Sequence, residues 1–572
     1  MDTLNTLLGG RGQQVSLDNV LTDRLTIVVA GVVLLLITTR ILSGLLGGSK
    51  KTPNGDTVPL APYWIPLIGH IPSFLIFSKS FFPWARKTYR GGAFAINMGG
   101  TTHNIIFKPA LGQMLMNQKN EVADGNSVSR YLMSAIFAWP KKEMDAYDRA
   151  LPDILVCYRE LLSNPGLSKL VDGTVQELKK NINNLVTFNE SIVDQMYWER
   201  VADVEPTILA DGDQGEEVSL MRLLRDFVAV TANPALLGSD FVQNNPGFYS
   251  DLWTMDAAFM YLATGLPRWI PIPTLTKGVL ARERMMRAIR PYEDALDKWA
   301  SGEYAGSEWS DLDNISELLK TRVAAYRKHN LSNEARSACE LALAWAMNAN
   351  ANPLIFWVIT RVYADSTLLE QIREEVRPYI KVNIPKQEFA VQELPHLEDI
   401  DHEGLLNHCP LLKAAYVESL RLDTGVWSFK IMREDVTLTS REKDAQKYLI
   451  KKGTFCHVAH ELHHQNGEYY DEPDVWRVGR HIKYEPGKEG EPAVPKAEIG
   501  TVRPYGGGHS MCKGRAFAVK EILIFTATIF TFYDMLPAKG GWRIPDPAKT
   551  TGTNGIKGDL RVRIKRRKIP TV

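Results

Sequence analysis

The sequence has few cysteines and no excess of either charge. Its 572 residues include five cysteines without a CxxC pair, and 67 basic residues balance 66 acidic ones. Scattered cysteines in an odd number argue against a disulfide scaffold and fit a reducing compartment. A formal net charge of +1 gives no bulk attraction for a polyanion. The composition therefore argues against a disulfide-rich secreted domain and against nucleic acid as a partner.

Two sequence patterns are also absent. The phosphate-loop motif GxxxxGK[ST] does not occur, which argues against a nucleotide-binding loop of that kind. After residue 75 there is no Gly/Ser-rich or proline-repeat linker that would separate two domains. We therefore expect residues 76–572 to form a single large domain, even though the length alone would allow several.

Long apolar runs are scarce, and the one that stands out lies near the N-terminus. Residues 25–46 are almost continuously apolar, and about 20 such residues are needed to cross a membrane. Arg40 lies near the end of this run, where its side chain can reach the membrane interface. Arg40, Lys50 and Lys51 place positive charge on the C-terminal side, which favours that side as cytoplasmic. We predict a luminal tail at 1–24 and an uncleaved anchor at 25–46, with a cleaved signal peptide as the alternative.

Residues 47–75 contain the prolines of "VPLAPYWIPLIGHIPSF", which favour an extended linker between the anchor and the body. From Lys79 to Arg336, apolar residues recur at helical spacings of three and four. Beyond Leu422, segments rich in β-branched and aromatic residues, which are typical of strands, alternate with further segments that have a helical pattern. The predicted fold class is therefore mainly α with small β-sheets (α+β).

A polar notch interrupts the longest predicted helix, residues 332–365. Ser332 can cap its start, and Pro353 frees the carbonyl of Ala349, so we expect a kink or an opening there. Asn350 and Asn352 place two amide side chains beside this opening. The alternative is a helix end capped by asparagine. Apolar residues at helical spacing follow the notch, which indicates that the helix resumes. We therefore favour a functional site at the notch.

Two stretches compete as the metal site. "HELHH", His460 to His464, matches the HExxH pattern of zinc proteases, but that motif needs a helix of more than one turn and a third ligand. The preceding text predicts a strand, and Asn466 and Gly467 follow as helix breakers. The alternative is therefore a strand end with exposed histidines.

The other stretch is "YGGGHSMCKGRAFA", Tyr505 to Ala518, in which Cys512 precedes a strongly apolar helix. A helix N-terminus lowers the pKa of a thiol, so we expect a thiolate. The neighbouring glycines lack Cβ atoms and allow the backbone to approach a flat group closely; they are Gly506, Gly507, Gly508 and Gly514. Together with Tyr505, this arrangement suits an axial ligand to haem. A nucleophilic cysteine with His509 as its base is the rival interpretation.

These residues resemble the haem-ligand signature of the cytochrome P450 superfamily, with Tyr505, Gly508, Cys512 and Gly514 in register. Glu418 and Arg421 match the family's ExxR motif. "DEPDVWRVGRH" is similar to the segment that supplies the third member of a structural triad, which here is Arg480. The resemblance extends from Pro59 to the C-terminus. It implies a single-domain cytochrome P450 fold behind the anchor and a haem b whose iron is bound by Cys512.

The sequence departs from the family pattern at three places. Asn352 replaces the usual acid of the long helix and Pro353 its threonine, as in the branch of sterol 7α/12α-hydroxylases and prostacyclin synthase. Ser510 replaces a basic residue that usually contacts a haem propionate. No WxxxR motif occurs in the first third, and we expect Trp198-Glu-Arg200 to substitute for it.

The resemblance implies a microsomal monooxygenase that inserts one oxygen atom from O2 into a bulky apolar substrate. Fungal biosynthetic members look most similar, so the expected substrate is a terpenoid, a steroid-like compound or a prenylated natural product. Asn350 and Asn352 are the expected catalytic residues, because their amides can order water or the bound oxygen. We expect the pocket wall to include Ala344, Met347, Ala351 and residues 426–429 and 551–554.

The same resemblance implies partners and a location. Electrons would come from NADPH through NADPH-cytochrome P450 reductase, which would dock near Lys513 and Arg515. The protein would be a monomer, held in the endoplasmic reticulum membrane by one span, with its catalytic domain in the cytosol. Two alternatives remain open at this point: a haem-thiolate isomerase or dehydratase that acts on a peroxide without reductase, and a non-catalytic membrane haem protein.

Overall fold

The structure is a computed structural model that describes residues 17–385, 393–440, 446–487, 492–550 and 552–569. Helices dominate these residues, and several small sheets accompany them. The predicted fold class, mainly α with small β-sheets, is thereby confirmed.

The helices are numbered in chain order. They are α1 Leu17–Leu46, α2 Ile71–Leu75, α3 Ser78–Thr88, α4 Pro109–Met116, α5 Asn126–Ala135, α6 Met144–Cys157, α7 Gly166–Asn181, α8 Tyr197–Val201, α9 Leu220–Leu237, α10 Ser239–Asn244, α11 Phe248–Ala257, α12 Phe259–Ala263, α13 Pro273–Ala300, α14 Glu317–Lys328, α15 Asn333–Asn348, α16 Ala351–Tyr363, α17 Ser366–Val376, α18 His402–His408, α19 Pro410–Leu422, α20 His460–His464 and α21 Arg515–Phe532. Short 3₁₀ turns occur at Lys141–Glu143, Tyr158–Leu161, Ile182–Asn184, Leu312–Asn314, Arg377–Tyr379, Val478–His481 and Gly508–Ser510.

The strands are short and widely spaced along the chain. They are β1 Asp56–Thr57, β2 Ala93–Met98, β3 Thr101–Ile106, β4 Ala123–Asp124, β5 Glu205–Ile208, β6 Gln214–Ser219, β7 Ile380–Asn383, β8 His396–Ile400, β9 Trp427–Met432, β10 Val436–Thr439, β11 Lys447–Ile450, β12 Phe455–Ala459, β13 Ile482–Glu485, β14 Val494–Ala497, β15 Tyr533–Pro537, β16 Pro547–Ala548, β17 Gly555–Ile556 and β18 Arg561–Arg566.

The chain divides into two compact units. The first comprises Met1–Leu115 with Lys430–Val458. Here β2 pairs with β3 in antiparallel fashion, and β3 pairs with β12 in parallel. A second sheet has the order β1-β11-β10. This unit carries the N-terminal helix and the proline-rich segment.

The second unit comprises Met116–Phe429 with Ala459–Val572 and contains every site residue predicted from the sequence. A four-stranded sheet of order β15-β18-β6-β5 accompanies its helices. Helices α16 and α21 are buried along nearly their whole length, because both are apolar on all sides. Asn350 immediately precedes α16, and Cys512 lies shortly before α21. These two largely buried helices thus position the residues at which the candidate site begins.

The N-terminal segments differ in detail from the prediction. A stretch of α1, Arg24–Leu46, is long and apolar enough to cross a membrane, and no part of its most apolar window is buried. Residues 17–24, assigned to the tail from the sequence, are helical, while 1–16 lie outside the described residues. The linker is not wholly extended, because Pro72 stands in the first turn of α2, where a missing N–H costs nothing. It is also attached to its unit, since Ala61 N donates to the carbonyl of Ala95 over 2.8 Å.

Candidate active site

The second unit contains a cavity of about 630 Å³ where several of the predicted site residues meet. Cys512, Tyr505, Gly514 and Asn350 line it. The remaining walls come mainly from apolar residues of α5, α6, α16 and α21 and from residues 426–429. This volume falls within the range of about 300–1,000 Å³ that is usual for ligand and cofactor sites. The cavity is therefore large enough for a small molecule and mostly apolar.

The loop that carries Cys512 is closed by backbone contacts. Cys512 N donates to the carbonyl of Tyr505 over 2.9 Å, and a 3₁₀ turn fills the space between them. Gly508 has φ of +58°, and a Cβ at this position would stand 1.9 Å from the carbonyl oxygen of Met116. Only glycine fits there. The close approach that Gly508 permits is thus to the protein's own backbone, whereas the sequence predicted an approach to a bound flat group.

Cys512 lines the cavity and remains accessible, although the protein packed around it partly removes its thiol from water. Burial of the surrounding site raises the pKa of Cys512, although the N–H of Gly514 and the positive charge of Arg515 act in the opposite direction. The predicted lowering of this pKa, and with it a thiolate before any metal is bound, is therefore wrong, because desolvation outweighs the effect of the helix N-terminus. A bound metal ion removes the proton of a coordinating thiol outright, so the raised pKa does not oppose ligation.

The polar notch divides the predicted long helix into α15 and α16. Ser332 Oγ accepts from Ala335 N over 3.2 Å, which is the predicted cap. Asn350 precedes α16 and lines the cavity, and its Oδ1 accepts from Thr553 N over 3.0 Å. Its Nδ2 has no partner among the described residues and can donate into the cavity. Asn350 therefore shares the cavity with Cys512.

Asn352 lies elsewhere. It is 1% exposed and is not part of the described cavity lining. Its Nδ2 donates to the carbonyl of Arg225 in α9 over 3.0 Å, and its Oδ1 has no partner in the described chain. The notch thus separates the two asparagines, and the expected contact of Asn352 with bound oxygen is not supported by this position.

The predicted triad residues form one buried cluster. Glu418 Oε1 accepts from Arg421 Nη2 over 2.8 Å and from Arg480 Nε over 2.9 Å. His481 Nε2 lies 2.8 Å from Glu418 Oε2, a contact that the sequence reasoning missed although His481 directly follows Arg480. Burial opposes ionisation, but the hydrogen bonds from Arg421 and His481 lower the pKa of Glu418 to about 2. The cluster is thus held together by an ionised carboxylate.

A tyrosine pair connects this cluster to the cysteine loop. The hydroxyls of Tyr505 and Tyr416 are hydrogen-bonded, and Tyr416 lies in α19 two residues before Glu418. Helix α19 thereby contacts the cysteine loop through a polar bond in an otherwise apolar region.

The HELHH stretch forms the five-residue helix α20, and all five residues are buried. The alternative of exposed histidines is therefore wrong. His463 Nε2 lies 3.0 Å from Thr501 Oγ1, and His464 Nε2 accepts from Arg503 N over 2.9 Å. Burial lowers the pKa of His460 to about 4, which keeps this ring neutral. In the described part of the chain no cluster of three or more His, Cys, Asp or Glu side chains is placed to hold a metal ion.

The departures from the family pattern also have positions. Trp198 Nε1 donates to the carbonyl of Asn184 over 2.9 Å, and Arg200 Nη1 donates to that of Gln195 over 2.6 Å. Neither side chain belongs to the described cavity lining, so the expected substitution for WxxxR is not supported. Ser510 does line the cavity.

The predicted pocket wall is largely present. Met347, Ala351 and residues 426–429 line the cavity, as does Thr553. Ala344 and Asn554 do not belong to the described lining, and Thr551 lies outside the described residues. The sequence missed Glu521, a buried acid of α21 that lines the cavity and whose pKa burial raises to about 8. The available signal was a charge inside a strongly apolar helix.

The residues of the cavity fit a haem. The cavity combines a thiol, nearby glycines and predominantly apolar walls. These features suit the face of a large, flat, apolar ring. A Cβ on Gly514 would make an ordinary van der Waals contact of 3.9 Å with Cys512 Sγ, so Gly514 lies directly beside the sulfur. Cys512 is the side chain that would bind the iron.

Comparison with known proteins agrees with this geometry. The family model "Cytochrome P450" matches residues 175–554. A cytochrome P450 monooxygenase of Gibberella zeae is 28% identical over 56% of this chain, and the match spans about half (55%) of that relative. Cytochrome P450 monooxygenase poxD of Penicillium oxalicum is 22% identical over 85% of this chain and 89% of that relative. Mouse cytochrome P450 7B1 is 22% identical over 88% of this chain and 89% of that relative. The resemblance identified from the cysteine loop is confirmed.

Proposed function

The chain belongs to the cytochrome P450 family of monooxygenases, and on this premise we propose that it inserts one oxygen atom of O2 into a bulky apolar substrate. The observation that carries the proposal is the thiol of Cys512 facing a mostly apolar cavity of about 630 Å³ beside the helix break at Asn350. A terpenoid, steroid-like or prenylated natural product of a biosynthetic pathway is the substrate class that we propose for it.

In this proposal Cys512 holds the iron of haem b. When bound, the haem supplies the activation of O2, which a thiolate ligand favours. The apolar walls of α5 and α6 exclude water and bind the substrate body. Asn350 Nδ2 donates a hydrogen bond into the cavity and orders water there, while Thr553 N holds its Oδ1 in place. An amide neither gives nor takes a proton at neutral pH, so Asn350 orients water molecules and does not transfer protons.

We further propose that NADPH-cytochrome P450 reductase supplies the electrons and docks near Lys513 and Arg515, beside the cysteine loop. The protein would work as a monomer in the endoplasmic reticulum membrane. Residues 25–46 would span the membrane and residues 76–572 would form the cytosolic catalytic domain. The apolar, unburied character of the helix Arg24–Leu46 supports the anchor.

The experiment uses purified, haem-loaded full-length protein with the reductase and a panel of terpenoids and sterols. Mass spectrometry under ¹⁸O2 detects product that carries one labelled oxygen atom. We expect labelled product with NADPH and none without it, and none from Cys512→Ala. Turnover that proceeds equally without NADPH would instead identify a peroxide isomerase or dehydratase. Haem binding without turnover of any panel member and without substrate-induced spectral change would favour a non-catalytic haem protein.

A further inference from the structure

A second cavity of about 420 Å³ lies in the same unit. Helices α9, α11 and α12, the α15–α16 junction, residues 548–550 and several residues between 553 and 559 line it. Thr553 lines both this cavity and the cavity of Cys512, so the two cavities lie next to each other at this residue. A third cavity of about 410 Å³ shares Arg225 and Trp253 with the second. Arg225 and Trp253 thus face both of these spaces.

Arg225 stacks on an aromatic ring and has a buried N–H group without a hydrogen-bond acceptor. Its guanidinium carbon lies 4.6 Å from the centroid of the Trp253 ring, a cation–π contact. Its Nε is buried and has no hydrogen-bond partner, and the nearest carboxylate oxygen, Asp226 Oδ2, is 3.8 Å away. The Arg225 side chain is 30% exposed, but its buried Nε lacks a hydrogen-bond acceptor, which is costly for a group that does not lose its proton in proteins. The position therefore favours an anion from outside the chain.

The surrounding acids are engaged by indole N–H groups. Asp226 Oδ1 accepts from Trp253 Nε1 over 3.1 Å, and Asp256 Oδ1 accepts from Trp345 Nε1 over 2.8 Å. Asp226 also forms a long ion pair with Arg225, and Asp256 adds negative charge near it, so both acids balance part of the arginine's charge.

The other two basic side chains of the second cavity already have acidic partners. Arg222 Nη1 donates to Asp203 Oδ2 over 2.7 Å, and Lys549 Nζ donates to Glu461 Oε1 over 3.2 Å. Within the described lining of this cavity, Arg225 is therefore the basic group that lacks a hydrogen-bond acceptor.

We infer that Arg225 binds a carboxylate group of the substrate in the second cavity, which deepens the proposed function and rests on it. A planar guanidinium recognises a carboxylate through two parallel N–H···O bonds. A single negative charge suits the cavity, because the second charge of a phosphate would lie near Asp256 and Asp559, which also line it. The substrate is then an elongated apolar molecule with one acidic end, whose body extends past Thr553 toward Cys512.

The test compares acids with their uncharged methyl esters. Equilibrium dialysis measures the binding of cholanic acid, palmitic acid and both methyl esters to full-length haem-loaded protein at neutral pH. We expect each acid that binds to bind at least about tenfold more tightly than its ester, since a hydrogen-bonded charge pair is lost in the ester. Arg225→Met should abolish this preference, and Arg225→Lys should retain part of it. Arg222→Met is the matched control, because Arg222 lines the same cavity but pairs with Asp203.

The inference is overturned if the wild-type protein binds neither cholanic acid nor palmitic acid more tightly than the corresponding methyl ester. It is also overturned if the protein binds none of the four probes. Tighter binding of cholesteryl sulfate than of either acid would overturn the carboxylate assignment. If Arg225→Met does not fold, the acid and ester affinities of Arg225→Lys and of the wild-type protein decide whether Arg225 binds the carboxylate. The carbon-monoxide difference spectrum is recorded on each preparation. An intact thiolate band with equal acid and ester affinities rejects this inference alone, whereas loss of the band from wild-type protein rejects the proposed function.

Discussion

At the scale of single residues, the carboxylate of Glu418 contacts three basic side chains. Its carboxylate is fully buried and accepts bonds from Arg421, Arg480 and His481. We expect Glu418→Gln to lower the free energy of unfolding by about 3 kcal/mol, because it leaves buried cations without a counter-charge. Urea unfolding and haem content measure the change. Glu374→Gln is the control, since Glu374 pairs with Arg377 on the surface and should matter by less than about 1 kcal/mol.

The same residue predicts a dependence on pH. The fold lowers the pKa of Glu418 from 4.5 to about 2, so its contribution is present above pH 4.5 and is lost as the pH falls toward 2. The stability difference between wild type and Glu418→Gln should therefore shrink by roughly 1.4 kcal/mol per pH unit over that interval. Unfolding measured at descending pH gives the profile. A difference that stays constant down to about pH 3 contradicts this assignment of the pKa.

At the scale of elements, the break between α15 and α16 places two neighbouring asparagines in different environments. Pro353 allowed the break to be predicted from the sequence. Which amide faces the cavity could not be predicted, because that depends on α9, whose Arg225 carbonyl binds Asn352 from 127 positions away in the chain. For the same reason the stacking of Arg225 on Trp253 was not foreseen, since it arises only when α9 packs near α11.

The two asparagines should therefore respond differently to alanine substitution. Asn350→Ala removes a donor from the cavity, and we expect unchanged haem binding with a lower ratio of product formed to NADPH consumed. Asn352→Ala removes a bond to α9, and we expect an unchanged ratio with a reduced preference for acids over methyl esters. Product analysis and equilibrium dialysis separate the two effects. Identical effects of both variants would show that the notch acts as one structural unit.

The cysteine loop gives a second prediction at this scale. A methyl group on Gly508 would collide with the carbonyl of Met116, and its φ of +58° strains any other residue. We expect Gly508→Ala to yield protein with little bound haem, measured as the ratio of haem to protein absorbance. Gly479→Ala is the control, because no atom lies within 4 Å of the added Cβ there. Full haem content in Gly508→Ala would contradict the described loop.

At the scale of the whole molecule, the sequence motifs were sufficient for the fold class and the family, because Cys512, its glycines and the pair Glu418 and Arg421 depend on local spacing. The first unit was less predictable. Arg40 donates to the carbonyl of Pro62 and lies 5.3 Å from the Trp64 ring, so the end of α1 packs on the proline-rich segment. The sequence described that segment only as a spacer.

The anchor predicts how the protein fractionates. Removal of residues 1–46 deletes the apolar helix but leaves the pairing of Ala61 with Ala95 in place. We expect the shortened protein to be released from membranes by an alkaline carbonate wash and to keep its haem spectrum, whereas the full-length chain stays with the membranes. Immunoblots of the two fractions measure the distribution. Equal retention of both proteins contradicts the assignment of α1 as the anchor.

The central claim is that the sulfur of Cys512 binds the haem iron, and the reduced carbon-monoxide difference spectrum tests it most directly. The spectrum is recorded for wild type, Cys512→Ser and, as a control, Cys456→Ser, whose thiol is buried in the other unit. We predict the red-shifted Soret band of a thiolate-bound haem for wild type and for Cys456→Ser, and its loss in Cys512→Ser. A haem-loaded wild-type protein without this band, or a Cys512→Ser variant that keeps it, would contradict the account.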